Sequence, residues 1–302
     1  MFTALPSDGF VLANSLQLHF RRWNIETMNR DLPPILLLHG LASSSHIWNL
    51  VAPRLAEAGY EVIALDQRGH GESDKPAASY DFASILADDR AVVQALGLWH
   101  PIVIGHSWGA MAALEYAAAL GNELSGLIVI DGALQQFSRR PGWSRARVLA
   151  ELAPPRYAGV SRATFLGFYS ASPLARCWTP EIEASVLHIV EQHANGSVSP
   201  RLSFENHLQI IEAMWQQPTL DLYAHVQCPL QIIVAEHEPF DAVGRLLAEL
   251  REQGLAEIAA LQPGARIVRM RDTIHDIPLQ RPESLAEEIL AFVETSAVSV
   301  VG

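Results

Sequence analysis

The chain has 302 residues, 49% of them hydrophobic, enough to bury the core of one large α/β domain or two small ones. Its 33 acidic residues outweigh 21 basic ones, the net charge is −12, and Lys75 is the only lysine. There is no run of like charge and no arginine-rich stripe, which excludes the electrostatic footprint of a protein that binds nucleic acid or an anionic membrane.

Met1 to Phe10 contains Asp8 and no basic residue, so it does not read as a signal peptide. No apolar stretch approaches the ~18 residues that a membrane span needs. The expectation is a cytoplasmic protein. Cys177 and Cys228 lie far apart, with no metal-ligand spacing, and are expected to be free thiols.

In chain order, two alternating segments come first, near Gly9–Ala13 and Leu16–Trp23. Joined by Asn14-Ser15, they predict an antiparallel hairpin. Short, wholly apolar strands then alternate with helical patterns, as expected of parallel strands covered on both faces. The strands are Ile35–Leu38, Glu61–Leu65, Pro101–Ile104, Leu127–Ile130, Leu230–Val234 and Arg266–Met270. The helical stretches are His46–Glu57, Phe82–Leu96, Trp108–Leu120, Ala242–Glu252 and Pro282–Phe292. The alternation breaks between Asp131 and Val226, where aromatics are frequent, the periodicity is helical and no strand is convincing. This predicts a core domain of residues 1–132 and 226–302, with a helical cap, 133–225, inserted after the sixth strand. Such a cap would lie over the carboxyl edge of the sheet, where open parallel sheets bind ligands.

Gly105-His106-Ser107-Trp108-Gly109 is a G-x-S-x-G sequence with a buried strand directly before it and an alanine-rich helix directly after. That is the setting of a nucleophile elbow. A serine held at such a turn projects Oγ above the sheet, and the flanking glycines leave room for neighbouring backbone. The amides at the start of the helix face developing negative charge. Ser107 is therefore the candidate nucleophile. Acyl transfer also requires two backbone N–H donors for the oxyanion. The Trp108 amide is one, and the other is assigned to Leu41, in the loop His39-Gly40-Leu41 that follows strand Ile35–Leu38. His39 reads as a loop anchor.

With His39-Gly40, the elbow, and Asp66-Gln67-Arg68-Gly69-His70-Gly71-Glu72-Ser73 in this order, the chain resembles the capped α/β-hydrolase superfamily, serine-nucleophile branch. The resemblance covers the chain except the cap. It implies an α/β-hydrolase fold, and it implies that the segment Asp66–Ser73 is a structural turn, so Asp66 and Arg68 receive no chemistry. Epoxide hydrolases and haloalkane dehalogenases of this superfamily carry aspartate at the elbow, and a serine there disfavours both activities. The resemblance places the base just past the last strand, at His275. His188, His193, His207 and His225 fall in the cap or its exit, and His46 and His106 are weak as bases although near enough in sequence to touch substrate. It places the acid in the turn after strand Gln231–Val234, where Glu238 occupies the expected position and Glu236 is out of register. Asp131, at the end of Leu127–Ile130, is the competing acid. Glu238 is assigned.

These residues predict a serine esterase acting through an acyl-enzyme on carboxylic esters of small to medium apolar substrates, the cap aromatics supplying an apolar pocket. A lactone, thioester or C–C bond hydrolase is the alternative, and a non-catalytic small-molecule receptor is the third reading. No cofactor is implied, and no H-E-x-x-H or facial-triad spacing suggests a metal.

Overall fold

The computed structural model describes residues 5–23, 28–237 and 242–298. Among the described residues there are ten strands: β1 (Ser7–Ala13), β2 (Leu16–Trp23), β3 (Ile35–Leu38), β4 (Val62–Leu65), β5 (Ile102–His106), β6 (Gly126–Ile130), β7 (Val190–Gln192), β8 (Val198–Pro200), β9 (Leu230–Glu236) and β10 (Arg266–Arg271). Eight form one sheet in the order β1-β2-β4-β3-β5-β6-β9-β10. The hairpin β1–β2 pairs antiparallel with the rest of the sheet at β4, and the remaining strands run parallel. Asn14 and Ser15 both adopt positive φ, the backbone that a tight two-residue hairpin turn demands.

The parallel strands are apolar on both faces because helices cover both. Leu36 and Leu38 of β3 point into one hydrophobic cluster and Ile35 and Leu37 into the other. The first cluster includes side chains of α2 (Phe82–Leu96) and α3 (Trp108–Leu120), the second those of α1 (Ala52–Glu57). Asp81 caps α2 by accepting from the Ser84 amide, and Gly97 ends it at φ 66°.

Between β6 and β9 the chain leaves the sheet. This insertion carries α4 (Arg145–Glu151), α5 (Arg162–Ser170), α6 (Pro180–Leu187), α7 (Phe204–Gln216) and α8 (Thr219–Leu222). It also carries the β7–β8 hairpin, which the sequence reading did not include. Three residues per strand are too few to display an alternation, although Val190 and Val198 are both buried. After β9 come α9 (Ala242–Leu261), α10 (Ile277–Gln280) and α11 (Pro282–Val298). α9 runs nine residues past its expected end at Glu252, straight through Gly254. That glycine is a point of close approach: a Cβ there would lie 1.9 Å from the Leu134 carbonyl oxygen.

The turn after β4 is held from within. Asp66 is fully buried, and its carboxylate accepts from His19 Nδ1 at 2.8 Å and from the amides of Ser45 (2.6 Å) and Glu72 (3.0 Å). Burial opposes its ionisation, yet these donors hold its carboxyl far below the usual carboxylate range. Gly71 must be glycine, because its φ is 46° and a Cβ would overlap that carboxylate. Arg68 forms a buried two-pronged ion pair with Asp88 of α2, Nη2 donating to Oδ1 at 2.6 Å and Nε to Oδ2, and it also donates to the Ser84 carbonyl at 3.2 Å. Removing one partner of such a pair leaves an uncompensated buried charge. Asp88→Ala is therefore expected to destabilise the fold by about 3–5 kcal/mol, read as a lowered midpoint in denaturant unfolding.

Candidate active site

Ser107 sits at the junction of β5 and α3 with φ 56° and ψ −118°, a conformation that side chains rarely adopt. Four glycines make the space for it. A Cβ on Gly105 would lie 2.1 Å from the Gly109 carbonyl oxygen, one on Gly109 would lie 2.4 Å from that of Leu38, and one on Gly132 would lie 2.1 Å from that of Ser107 itself. Gly40, in the loop after β3, comes within 3.1 Å of Ser107 Cβ by the same measure. The Ser107 amide donates to the Ile130 carbonyl of β6 at 2.9 Å, tying the elbow to the neighbouring strand.

His275, in the loop between β10 and α10, receives the Ser107 hydroxyl: Oγ–H to Nε2 is 2.9 Å. Its Nδ1–H donates to Asp131 Oδ2 at 2.6 Å. The ring lies at the floor of a recess with 52% of its side-chain surface still open, whereas the Asp131 side chain is 12% exposed. Desolvation works to lower the His275 pKa, but the hydrogen bond and charge of Asp131 outweigh it and raise it above the ordinary imidazole range. Burial likewise works to raise Asp131, and His275 together with the Ala235 amide reverses that and lowers it. The Ala235 amide donates to Asp131 Oδ1 at 3.0 Å, so both carboxylate oxygens are occupied. Asp131 follows β6, itself at φ 43° and followed by the close-packed Gly132. Its own amide donates to Ile233 of β9 at 2.8 Å.

The carboxylate at His275 Nδ1 is thus Asp131, the competing acid of the sequence reading, which assigned Glu238. Glu238 lies outside the described residues. The imidazole has one Nδ1–H, and Asp131 accepts it. Glu236, out of register by the sequence reading, faces Arg269 and Arg271 at 3.6 Å and 3.7 Å instead.

The structure brings Leu41 and Trp108 to the same place. Leu41 follows Gly40, which packs on Ser107, and Trp108 is the first residue of α3. Among the described residues neither backbone N–H has a hydrogen-bond acceptor. The loop from His39 to Ser45 is fixed by side chains. His39 Nδ1–H donates to the Gly40 carbonyl at 2.8 Å and its Nε2 accepts from the Gln67 amide at 3.1 Å, the arrangement of a neutral anchor whose pKa burial lowers. His70 Nε2 accepts from the Ala42 amide at 3.2 Å and Asp66 accepts from Ser45, so the turn after β4 holds this loop.

Two histidines expected near substrate do other things. His106 is buried, and its Nε2–H donates to the His275 carbonyl at 2.8 Å; burial, with His275 beside it, pushes its pKa down to about 3. It holds the loop that carries His275 from within the elbow, a contact that the sequence reading missed. His46 stacks on His188 of the insertion with ring centroids 3.4 Å apart, and burial, reinforced by Arg21, lowers its pKa to about 2.

A cavity of about 390 Å³ opens beside Ser107 and His275, lined by Met111, Leu134, Met214 and, unforeseen from sequence, Arg140 and Arg251. A second recess of about 560 Å³ lies on the other side of His275, where Tyr157, Phe165, Phe168 and Tyr169 of the insertion line it. Among the described residues no three His, Cys, Asp or Glu side chains converge as a metal set, and no helix is long and apolar enough to cross a membrane. Cys177 and Cys228 are not joined to one another.

The AB hydrolase superfamily protein YisY of Bacillus subtilis is 33% identical over 111 residues, which are 36% of this chain and 41% of that protein. Epoxide hydrolase A of Mycobacterium tuberculosis is 33% identical over 108 residues, 35% of this chain and 32% of that one. The match therefore spans well under half the length of each relative. Solved structures match over far more of the chain. E-2-(acetamidomethylene)succinate hydrolase superposes with a TM-score of 0.74 at 20% identity, covering 96% of this chain and 100% of that one. An esterase from Thermogutta terrifontis gives 0.69 at 21% identity, covering 96% and 99%. At such identities the likeness is one of fold. A family model described as alpha/beta hydrolase fold matches residues 33–282, and with this sheet and this elbow the chain belongs to that family.

Proposed function

We propose that this hydrolase is a serine esterase in which Ser107, His275 and Asp131 form the catalytic triad and the insertion acts as a cap. The observation that carries the reading is the unbroken chain of hydrogen bonds from Ser107 Oγ through the imidazole to Asp131. His275 Nε2 takes the hydroxyl proton as Ser107 Oγ attacks the acyl carbon, and Asp131 stabilises the imidazolium that forms. The negative charge on the tetrahedral oxygen is received by the Leu41 and Trp108 amides, which lack any other acceptor among the described residues. The C–O bond to the alcohol breaks, His275 returns its proton to that alcohol, and an acyl ester remains on Ser107. Water, deprotonated by the same nitrogen, then attacks the ester; the acid leaves and Ser107 recovers its proton.

Relatives that include epoxide hydrolases do not argue for epoxide opening here. That chemistry, as this superfamily performs it, rests on an alkyl ester of an elbow aspartate, and this elbow holds serine. Acyl chemistry also covers lactones and thioesters, and substrates of those classes belong in the same assay.

Hydrolysis of p-nitrophenyl acetate and butyrate tests the reading. Wild type should turn both over and Ser107→Ala should fall to background; a Ser107→Ala protein as active as wild type overturns it. Asp131→Asn should lose on the order of 10⁴-fold in kcat with folding intact, while Glu238→Gln should cost far less; the reverse ranking would restore Glu238 as the acid.

Because the base must be neutral to accept a proton, kcat/KM should rise with pH through an apparent pKa above the ordinary imidazole range, the direction in which Asp131 moves His275. Below that pKa His275 is protonated and activity falls. A limb centred below the ordinary imidazole range would contradict the ion-paired arrangement.

A further inference from the structure

In a chain with 33 acidic and 21 basic residues, the described lining of the cavity beside Ser107 has the opposite balance of charge. Among its described lining residues the only carboxylate is Asp131, which is committed to His275, while two arginines, Arg140 and Arg251, face it. The stretch around Arg140 holds three other arginines, and all are ion-paired on the surface: Arg139 with Asp221 and Glu257, Arg145 with Glu212, and Arg147 with Glu151. Arg140 differs. Its guanidinium carbon lies 4.2 Å from the ring centroid of Phe137 and 4.4 Å from that of Trp143, held against the two aromatic rings. Among the described residues it has no ion-pair partner, and its buried Nε has no acceptor. Burial lowers its pKa to about 10, with Glu151 opposing, so it remains a cation at neutral pH that has lost water without gaining an anion. Arg251 is more committed: Nη1 donates to the Ala235 carbonyl at 2.6 Å, and Nε, buried without a hydrogen-bond acceptor, lies 3.9 Å from Glu252 Oε1.

A planar guanidinium stacked on aromatic rings presents its edge donors in the fork that matches a carboxylate. The two recesses also divide the substrate. The acyl group stays bonded to Ser107, and the cavity with the arginines is the one that Ser107 lines. The leaving group departs from the acyl carbon with the proton of His275 Nε2, and the aromatic recess adjoins His275 with no Ser107 in its described lining.

We propose that the acyl part of the substrate ends in a carboxylate that Arg140 binds, with Arg251 adding a second positive charge, while an apolar leaving group occupies the aromatic recess. This rests on the serine hydrolase reading, and it keeps the apolar pocket expected from the cap aromatics for the leaving group alone. The substrates are then half-esters of dicarboxylic acids.

The experiment compares p-nitrophenyl half-esters of succinate, glutarate and adipate with the unbranched neutral acyl esters of equal chain length. At the best length the charged ester should have a kcat/KM higher by about tenfold or more, the scale of one charge-assisted hydrogen bond. That ratio should shrink as salt rises and collapse in Arg140→Gln. Neutral esters equal to or better than charged ones at every length, or a preference that survives Arg140→Gln, would overturn the proposal. Should Arg140→Gln fail to fold, free dicarboxylates on the wild-type enzyme read the same site. They should inhibit competitively at concentrations about tenfold below the matching monocarboxylates, and equal inhibition would overturn the proposal. Calorimetry of the same dicarboxylates on Ser107→Ala separates the two readings. Binding there without wild-type turnover of any ester sinks the hydrolase and keeps the anion site. Turnover of neutral esters with no dicarboxylate binding sinks the anion site alone.

Discussion

Everything at this site depends on one strained residue. Ser107 holds φ 56° and ψ −118°, a backbone state that costs on the order of 1–3 kcal/mol and persists only when its surroundings over-determine it. The surroundings here are backbone atoms at distances that no side chain could share: the Gly109 carbonyl against Gly105, the Leu38 carbonyl against Gly109, and the Ser107 carbonyl against Gly132. Those contacts draw three neighbouring strand ends, β3, β5 and β6, onto one point. The strand ends in turn deliver the loop of Gly40 and Leu41, Ser107 and Asp131. The strain and the assembly of the site are one feature.

A second layer of buried polar groups keeps that assembly from relaxing. Asp66, His70 and Gln67 all belong to the turn after β4, and each bonds to the segment from His39 to Ser45. The same turn is anchored to α2 through Arg68 and Asp88. A motif read as structural therefore also helps to set where the Leu41 amide lies. His106 does the equivalent on the other side, holding the His275 carbonyl from inside the elbow. In the cavity, Arg140 and Arg251 each keep a buried Nε without a hydrogen-bond acceptor, and a ligand there can supply what the fold does not.

Local geometry was legible in the sequence wherever a short pattern dictates it. Strand Ile35–Leu38 and helices Phe82–Leu96 and Trp108–Leu120 coincide with the observed elements, because four aliphatics bounded by Pro34 and His39-Gly40 are too few for a helix and because glycine or serine bounds each helix. The elbow was legible for the same reason. The carboxylate partner of His275 was not, since two strand ends offered one each. What brings Asp131 to Nδ1 is its own positive φ, the pairing of β6 with β9 and the Ala235 amide, none of which has a local signature. The β7–β8 hairpin was too short to show a period. Arg140 was indistinguishable in sequence from Arg139 beside it, since only the folded chain shows which of them turns toward Ser107 and which pairs with Asp221.

The most direct test of the account is covalent. A fluorophosphonate should label the protein at one equivalent, and mass spectrometry should place the phosphonyl group on the peptide that contains Ser107. Loss of labelling in Ser107→Ala, and much slower labelling in Asp131→Asn, is the predicted result. Stoichiometric labelling of another residue, or no labelling of a folded wild-type protein, would contradict it.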